Sequence, residues 1–263
     1  MAEIADGLEA RLDDGIAGLT INRPQRKNAV TQAMWRAMAD EVAAWAGSGD
    51  VRALILSGEG ADFSAGADIG EFDTVRRDAQ TARAYEQANS DAFTALREAP
   101  FPVIAAISGI CFGGGFGLAA ACDLRLATPD ATFAVPAARL GLAYPQDAMI
   151  DIVTAAGAQM AKWLTFSAAR ITAAQALAAG FLLEIEGDRM ALDARATAMA
   201  EAIAANAPLS VRASKAAIRA VTSKTEADAA LARSLGSATF DSADYAEGRT
   251  AFREKRKPVF KGR

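Results

Sequence analysis

An α/β fold is what the sequence predicts, and three observations predict it. Apolar runs of strand length, VRALILS at Val51–Ser57 and PVIAAI at Pro102–Ile107, alternate with segments of helical periodicity. Gly113, Gly114 and Gly115 follow the second run and lead into an Ala-rich stretch, the pattern of a strand, a glycine turn and a helix start. From Asp147 onward the chain reads as helix almost throughout. Strand and helix alternating in this way place crossover units around a largely parallel sheet.

In chain order, Leu8–Asp13 and Ile16–Asn22 alternate in part and are separated by Asp14-Gly15, which reads as a hairpin. Arg23-Pro24 ends the second strand, and a helix over Thr31–Ala46 follows with Thr31 as its N-cap. Gly58–Gly60 turn the chain after Val51–Ser57 toward the sequence DFSAGADIGEF, Asp62–Phe72. Arg76–Glu98 has mixed helical spacing and reads as a helical flap. Beyond the glycines, Leu124–Ala127 and Thr132–Val135 are short strands, the second ended by Pro136. Helices are then expected over 148–156, 158–166, 173–179, 189–206, 210–221, 226–235 and 242–255, with an apolar break at Phe181–Ile185.

Composition narrows the chemistry. With 263 residues, 52% hydrophobic and 23% charged, the chain has ample material for a core and an ordinary globular balance. No apolar run reaches the roughly 18 residues of a membrane span, and Met1–Asp14 is acidic, so a cytoplasmic protein is expected. There is no histidine, which removes Ser-His-Asp and Cys-His catalysis and His metal sites. Cys111 and Cys122 lack metal-ligand spacing and read as buried thiols; neither a metal nor a separate cofactor is expected.

The glycine triplet admits more than one reading. A dinucleotide fingerprint fails because Leu118 stands where its third glycine belongs, and no G-x-x-x-x-G-K-[ST] loop is present. Close packing of a helix on a sheet is one remaining reading. The other is a pocket of backbone donors, because glycines let a ligand press on bare backbone and the first amides of a helix have no partner within it.

Four stretches decide in favour of the pocket. FSAGADIGEF, PVIAAISGICFGGGFGLAAACDLRLAT, TFAVPAARLGLAYP and DYAEGRTAFREKRKPVFKGR, in that order and spacing, resemble the enoyl-CoA hydratase/isomerase (crotonase) family from about Asn22 to the C-terminus. The resemblance implies a spiral of strand-strand-helix repeats over residues 1–200, then a helical region over 201–263 that builds trimers or hexamers. It implies an acyl-CoA substrate, with coenzyme A as part of the substrate. The oxyanion donors would be the amides of Ala67 and Gly114, with Ala65, Ile69 and Gly113 beside the acyl thioester and Asp68 ordering the loop. Arg26 and Lys27 would meet coenzyme A phosphates, the alternative being solvated loop cations. Phe252 and Lys255 would lie near its nucleotide end, from the same or a neighbouring chain. The basic stretch Arg253–Arg263 would otherwise be a solvated helix end, and no aromatic platform supports nucleic acid.

Where the sequence departs from the family is informative. The two glutamates that hold and split water in hydratases fall at Gly117 and Ala137 here, and neither side chain moves a proton. Isomerisation or another enolate reaction is therefore expected over hydration, with an acyl-CoA-binding protein that has lost turnover as the alternative. Asp147 matches a catalytic aspartate of dienoyl-CoA isomerases if two residues are inserted; capping a helix is its other reading. Tyr144, taken as an exposed phenol, is a second candidate proton donor, with packing as its alternative.

Overall fold

The computed structural model describes residues 2–263. β2 (Leu8–Asp13) and β3 (Ile16–Ile21) form the expected antiparallel hairpin, in register from Leu8 opposite Ile21 to Asp13 opposite Ile16. Its two turn residues, Asp14 (φ 46°) and Gly15 (φ 80°), are both left-handed, the twist a tight hairpin needs. β1 (Ala2–Ala5) pairs outside β2. β4 (Ala53–Gly58), β5 (Val103–Ile107), β7 (Leu124–Ala127) and β10 (Glu184–Ile185) then continue in parallel, giving a seven-stranded sheet of order β1-β2-β3-β4-β5-β7-β10.

A smaller sheet joins β6 (Ile110–Phe112), β8 (Thr132–Ala134) and β9 (Arg170–Thr172). β5 and β6, then β7 and β8, supply one strand to each sheet, separated by α4 (Gly114–Ala121) and followed by α5 (Gln146–Ser167). The chain thus winds as a strand-strand-helix spiral, as the resemblance implied. β1, β6, β9 and β10 went unpredicted, β10 lying in the expected apolar break at Phe181–Ile185. β6 and β9 have three residues each, too few to show a period of two.

Both faces of the large sheet are covered, so its central strands are buried throughout. On one face Leu54, Leu56, Val103, Ala105 and Ile107 join a core with Met34, Met38 and Val42 of α1 (Gln32–Ser48) and Phe93 and Leu96 of α3 (Ala79–Glu98). On the other, Ala53, Ile55, Ile104, Ala106 and Leu126 meet Leu192, Ala196, Met199 and Ala200 of α7 (Arg189–Ala204). The expected boundary after residue 200 therefore falls inside a helix that seals the sheet. α2 (Phe72–Val75) and α6 (Ala173–Ala178) are short connectors.

Thr31 caps α1 as predicted, its side chain accepting from the Met34 N–H at 3.3 Å. The two helices expected over 148–166 form one span with a break at Gly157, whose φ of 77° no helix accommodates. α8 (Pro208–Ser223), α9 (Glu226–Ala238) and α10 (Ala243–Glu254) complete the helical tail. Among the described residues no helix is long and apolar enough to cross a membrane.

One charge pair ties α3 to α5. Arg97 Nη1 donates to the buried Asp151 carboxylate at 2.7 Å. Burial pushes the Asp151 pKa up to about 6 from 3.8, against Arg97 and Arg219, with Asp147 one turn away adding to the rise. The folded chain therefore holds this proton to a higher pH than the unfolded chain does, and stability falls as pH rises through that window. We expect wild type to lose on the order of 1–3 kcal/mol relative to Asp151→Asn between about pH 4 and 6, and nothing further above. Urea unfolding of both proteins across that range checks this; a pH-independent difference refutes it.

Candidate active site

The loop carrying Ala67 is held from two sides. On one, Val30 N donates to Gly66 O (2.8 Å) and Asp68 N donates to Val30 O (2.9 Å), a short parallel ladder between Val30 and Ala67. Because backbone groups alternate along an extended chain, the Ala67 N–H faces away from Val30. On the other side, Ser64 N donates to Ile110 O and Phe112 N to Ser64 O, at 2.8 and 2.9 Å, which aligns the loop with β6. The residues after β6 are Gly113 and Gly114, so the free edge of Ala67 meets the start of α4.

Buried polar side chains fasten this arrangement. Asn28 donates to the carbonyls of Glu59 and Asp62 and accepts from Arg23 N, while Ser64 Oγ donates to Asn28 O at 2.7 Å. Gly66 (φ 91°) is the point of closest approach: a Cβ there would lie 2.7 Å from both Gly114 N and Phe112 O. A Cβ on Gly114 would stand 3.5 Å from Ala67 N. Gly114 is the first residue of α4, so its N–H has no partner inside the helix. Neither this N–H nor that of Ala67 donates to another group among the described residues.

Beside the two amides lies a cavity of about 110 Å³ whose wall includes Ala65, Ala67, Gly113, Gly114, Ala137 and Tyr144. Phe72, Phe93, Leu140 and Leu142 make it mainly apolar, and Ile69, 58% exposed, stands at its rim. Asp68 stays out of the wall: it accepts from Arg23 at 2.8 Å and from Gly70 N at 3.0 Å. Burial raises its pKa, but the bonds from Arg23 and Gly70 outweigh that and leave it lowered. Arg26 and Lys27 are exposed on the preceding turn, and Lys27 O accepts from Ala65 N at 2.9 Å. Phe252 and Lys255 are exposed at the end of α10, outside this wall.

Two expectations need correction. Asp147 is not on the wall; in the first turn of α5 its carboxylate accepts from Ser90 Oγ on α3 and serves the contact between those helices. Tyr144 is half-buried, not exposed, and burial, with Glu86 nearby, pushes its pKa up. The sequence reading also missed Arg76, Glu86 and Asn89, which bring the polar side chains of the flap to the cavity. Glu86, Asn89 and Phe93 sit three and four residues apart on one face of α3, the spacing that would have flagged them.

Gly117 has a packing reason. A Cβ there would fall 2.6 Å from Phe93 Cζ, and that ring is held edge-on against Trp35 at 5.7 Å between centroids. Phe93 thus fills the space into which a longer side chain at 117 would project.

This fold is that of a family named for enoyl-CoA chemistry. A model of the enoyl-CoA hydratase/isomerase family matches residues 11–263, and the chain belongs to that family. It is 33% identical over 205 residues to the mouse mitochondrial Delta(3,5)-Delta(2,4)-dienoyl-CoA isomerase, covering 74% of this chain but only 63% of the mouse protein's length. It is 30% identical to the 2,3-dehydroadipyl-CoA hydratase of Escherichia coli, over 93% of this chain and 94% of that one. Among solved structures, an enoyl-CoA hydratase/carnithine racemase from Magnetospirillum magneticum superimposes with a TM-score of 0.91 at 36% identity, over 98% and 97% of the two chains.

Gly117→Ala should cost about 1–3 kcal/mol by overpacking against Phe93, and Phe93→Leu in the same chain should recover part of it. Urea unfolding of the single and double variants measures both; a Gly117→Ala protein as stable as wild type would show that the ring yields.

Proposed function

We propose that the protein moves a proton on an acyl-CoA thioester through an enolate whose oxygen rests between the amides of Ala67 and Gly114. The observation that carries this reading is the meeting of those two N–H groups, neither engaged by protein, at the wall of an apolar cavity. A thioester carbonyl accepting from both would have its α-hydrogen acidified, because the fixed donors stabilise negative charge as it grows on oxygen. Each such donor contributes about 3 kcal/mol in comparable sites. The family membership and the mouse isomerase support the same chemistry.

Isomerisation fits better than hydration. Adding water needs one group to activate it and another to deliver a proton, and positions 117 and 137 carry only glycine and alanine. Moving a hydrogen between carbons of one enolate needs a single shuttle. On this reading coenzyme A enters as part of the substrate, Arg26 and Lys27 meet its phosphates, and Phe252 and Lys255 approach its nucleotide end from the same or a neighbouring chain. Exposed Ile218, Val221, Leu231, Phe240 and Phe252 along α8–α10 support assembly into a trimer or hexamer. Sedimentation at micromolar concentration should therefore give three or six chains, and a monomer refutes the assembly.

The missing glutamates also favour a second reading, a protein that binds acyl-CoA without turnover. Exchange at the carbon next to the thioester, followed by NMR in D2O with a panel of acyl-CoAs, separates the two. We expect exchange in wild type. Gly114→Pro removes one N–H at a helix position that tolerates proline, and should slow exchange about 10²- to 10³-fold. Gly114→Ala keeps the N–H but, like proline, sets a Cβ 3.0 Å from Trp35 Cζ2, so it measures the steric part of that loss and should remain faster than Gly114→Pro. Binding without exchange in wild type supports the second reading, and exchange undiminished in Gly114→Pro removes that amide from the mechanism.

A further inference from the structure

We propose that Glu86 is the proton shuttle of this site, an assignment that rests on the acyl-thioester reading above. Three other positions supply no carboxylate to this wall, Asp147 lying off it. Phe93 occupies the space in front of Gly117, Ala137 presents only a methyl to the cavity, and Asp147 is engaged by Ser90. Among the residues of the wall, Glu86 is the one carboxylate, and it shares that wall with Gly113, Gly114 and Ala67.

Its surroundings suit the task. Glu86 pairs with Arg76, whose guanidinium lies over the rings of Phe72 and Tyr85 at 4.7 and 5.0 Å, so the carboxylate is oriented by a cation that is itself fixed. One turn along α3, Asn89 also lines the cavity, and its Oδ1 is buried with no partner among the described residues. Tyr144 faces this patch from the opposite loop, its hydroxyl close to Gly113: a Cβ on that glycine would lie 3.8 Å away. An otherwise apolar cavity thus has one polar corner, built by Arg76, Glu86, Asn89 and Tyr144.

The step balances without a co-reactant. The Glu86 carboxylate takes a proton from the α-carbon of a 3-enoyl thioester, breaking C–H and forming O–H, while the electron pair moves into the thioester carbonyl as an enolate held by the two amides. Return of the same proton to the γ-carbon shifts the double bond into conjugation and restores the carboxylate. No water is consumed.

Glu86→Gln tests this, because the amide oxygen still accepts from Arg76 while the group no longer takes a proton. We expect deuterium exchange and double-bond migration to fall about 10²- to 10⁴-fold, with affinity for an unreactive thioether analogue of the acyl-CoA within threefold of wild type and an unchanged thermal unfolding curve. Glu86→Asp should restore part of the rate, which a merely structural contact would not require. Exchange at the wild-type rate in Glu86→Gln overturns the assignment and leaves the amide pocket standing. Analogue binding to wild type without any exchange overturns the shuttle together with proton transfer at this site and leaves only the acyl-CoA-binding reading. Failure of wild type to bind the analogue overturns the shuttle and the acyl-thioester reading together.

Discussion

The site depends on a steric constraint at one residue. Gly66 lies where the Ala67 loop, the end of β6 and the start of α4 come together, and it has neither room for a Cβ nor a backbone conformation that favours one. Around it the hydrogen bonding is decisive. With Gly66 O and Asp68 N committed to Val30, the intervening Ala67 amide is turned toward Gly114 by backbone alternation alone. The Asn28 and Ser64 bonds then hold the two loops in that register from within the core, where both side chains are fully buried. A donor pair assembled from main chain is fixed by the fold itself and titrates with nothing.

The cavity divides its work between two surfaces. Main-chain donors sit on the side of the Ala67 loop and α4, and the one carboxylate, Glu86, sits on α3, with Arg76 just ahead of that helix and Tyr144 on the facing loop. An apolar wall between them keeps the effective dielectric low, which strengthens the donors and makes any unpaired polar atom costly. The glycine at position 117, which admits the Phe93 ring, belongs to the same logic. It gives this face of α4 aromatic packing and no ionisable group, so the carboxylate of the cavity wall stands on the other side.

Much of this was legible in the chain because it is local. The hairpin at Asp14-Gly15, the Thr31 cap and the strand-glycine-helix passage at Pro102–Ala121 each declare themselves within a few residues. The fold and the family were equally readable, since four motifs in order leave little freedom. What sequence alone withheld are contacts between distant segments. Glu86 and Asn89 look like ordinary polar residues of an amphipathic helix until α3 is docked, and nothing near Asp147 announces Ser90, 57 residues earlier, as its partner. The strands β6 and β9 exist through pairing with β8 and carry too few residues to show a pattern.

The flap reading of 76–98 changes meaning once these contacts are seen. α3 starts with a reciprocal cap between Asp78 and Thr81, joins α1 through Trp35 and Tyr85, and joins α5 through Ser90 with Asp147 and Arg97 with Asp151. Tyr85 also donates to Val30 O, the carbonyl that helps orient Ala67. A helix tied to α1 near its middle and to α5 through its C-terminal half is a wall and not a lid, and it carries Glu86 and Asn89 of the polar corner. Adaptability then falls to the rim, where Ile69, Leu140 and Leu142 are 58%, 54% and 39% exposed on short irregular segments. On the proposed reading, selection of the acyl group is separated from the proton-transfer geometry: side chains at the rim can vary without moving α3 or the Ala67–Gly114 pair.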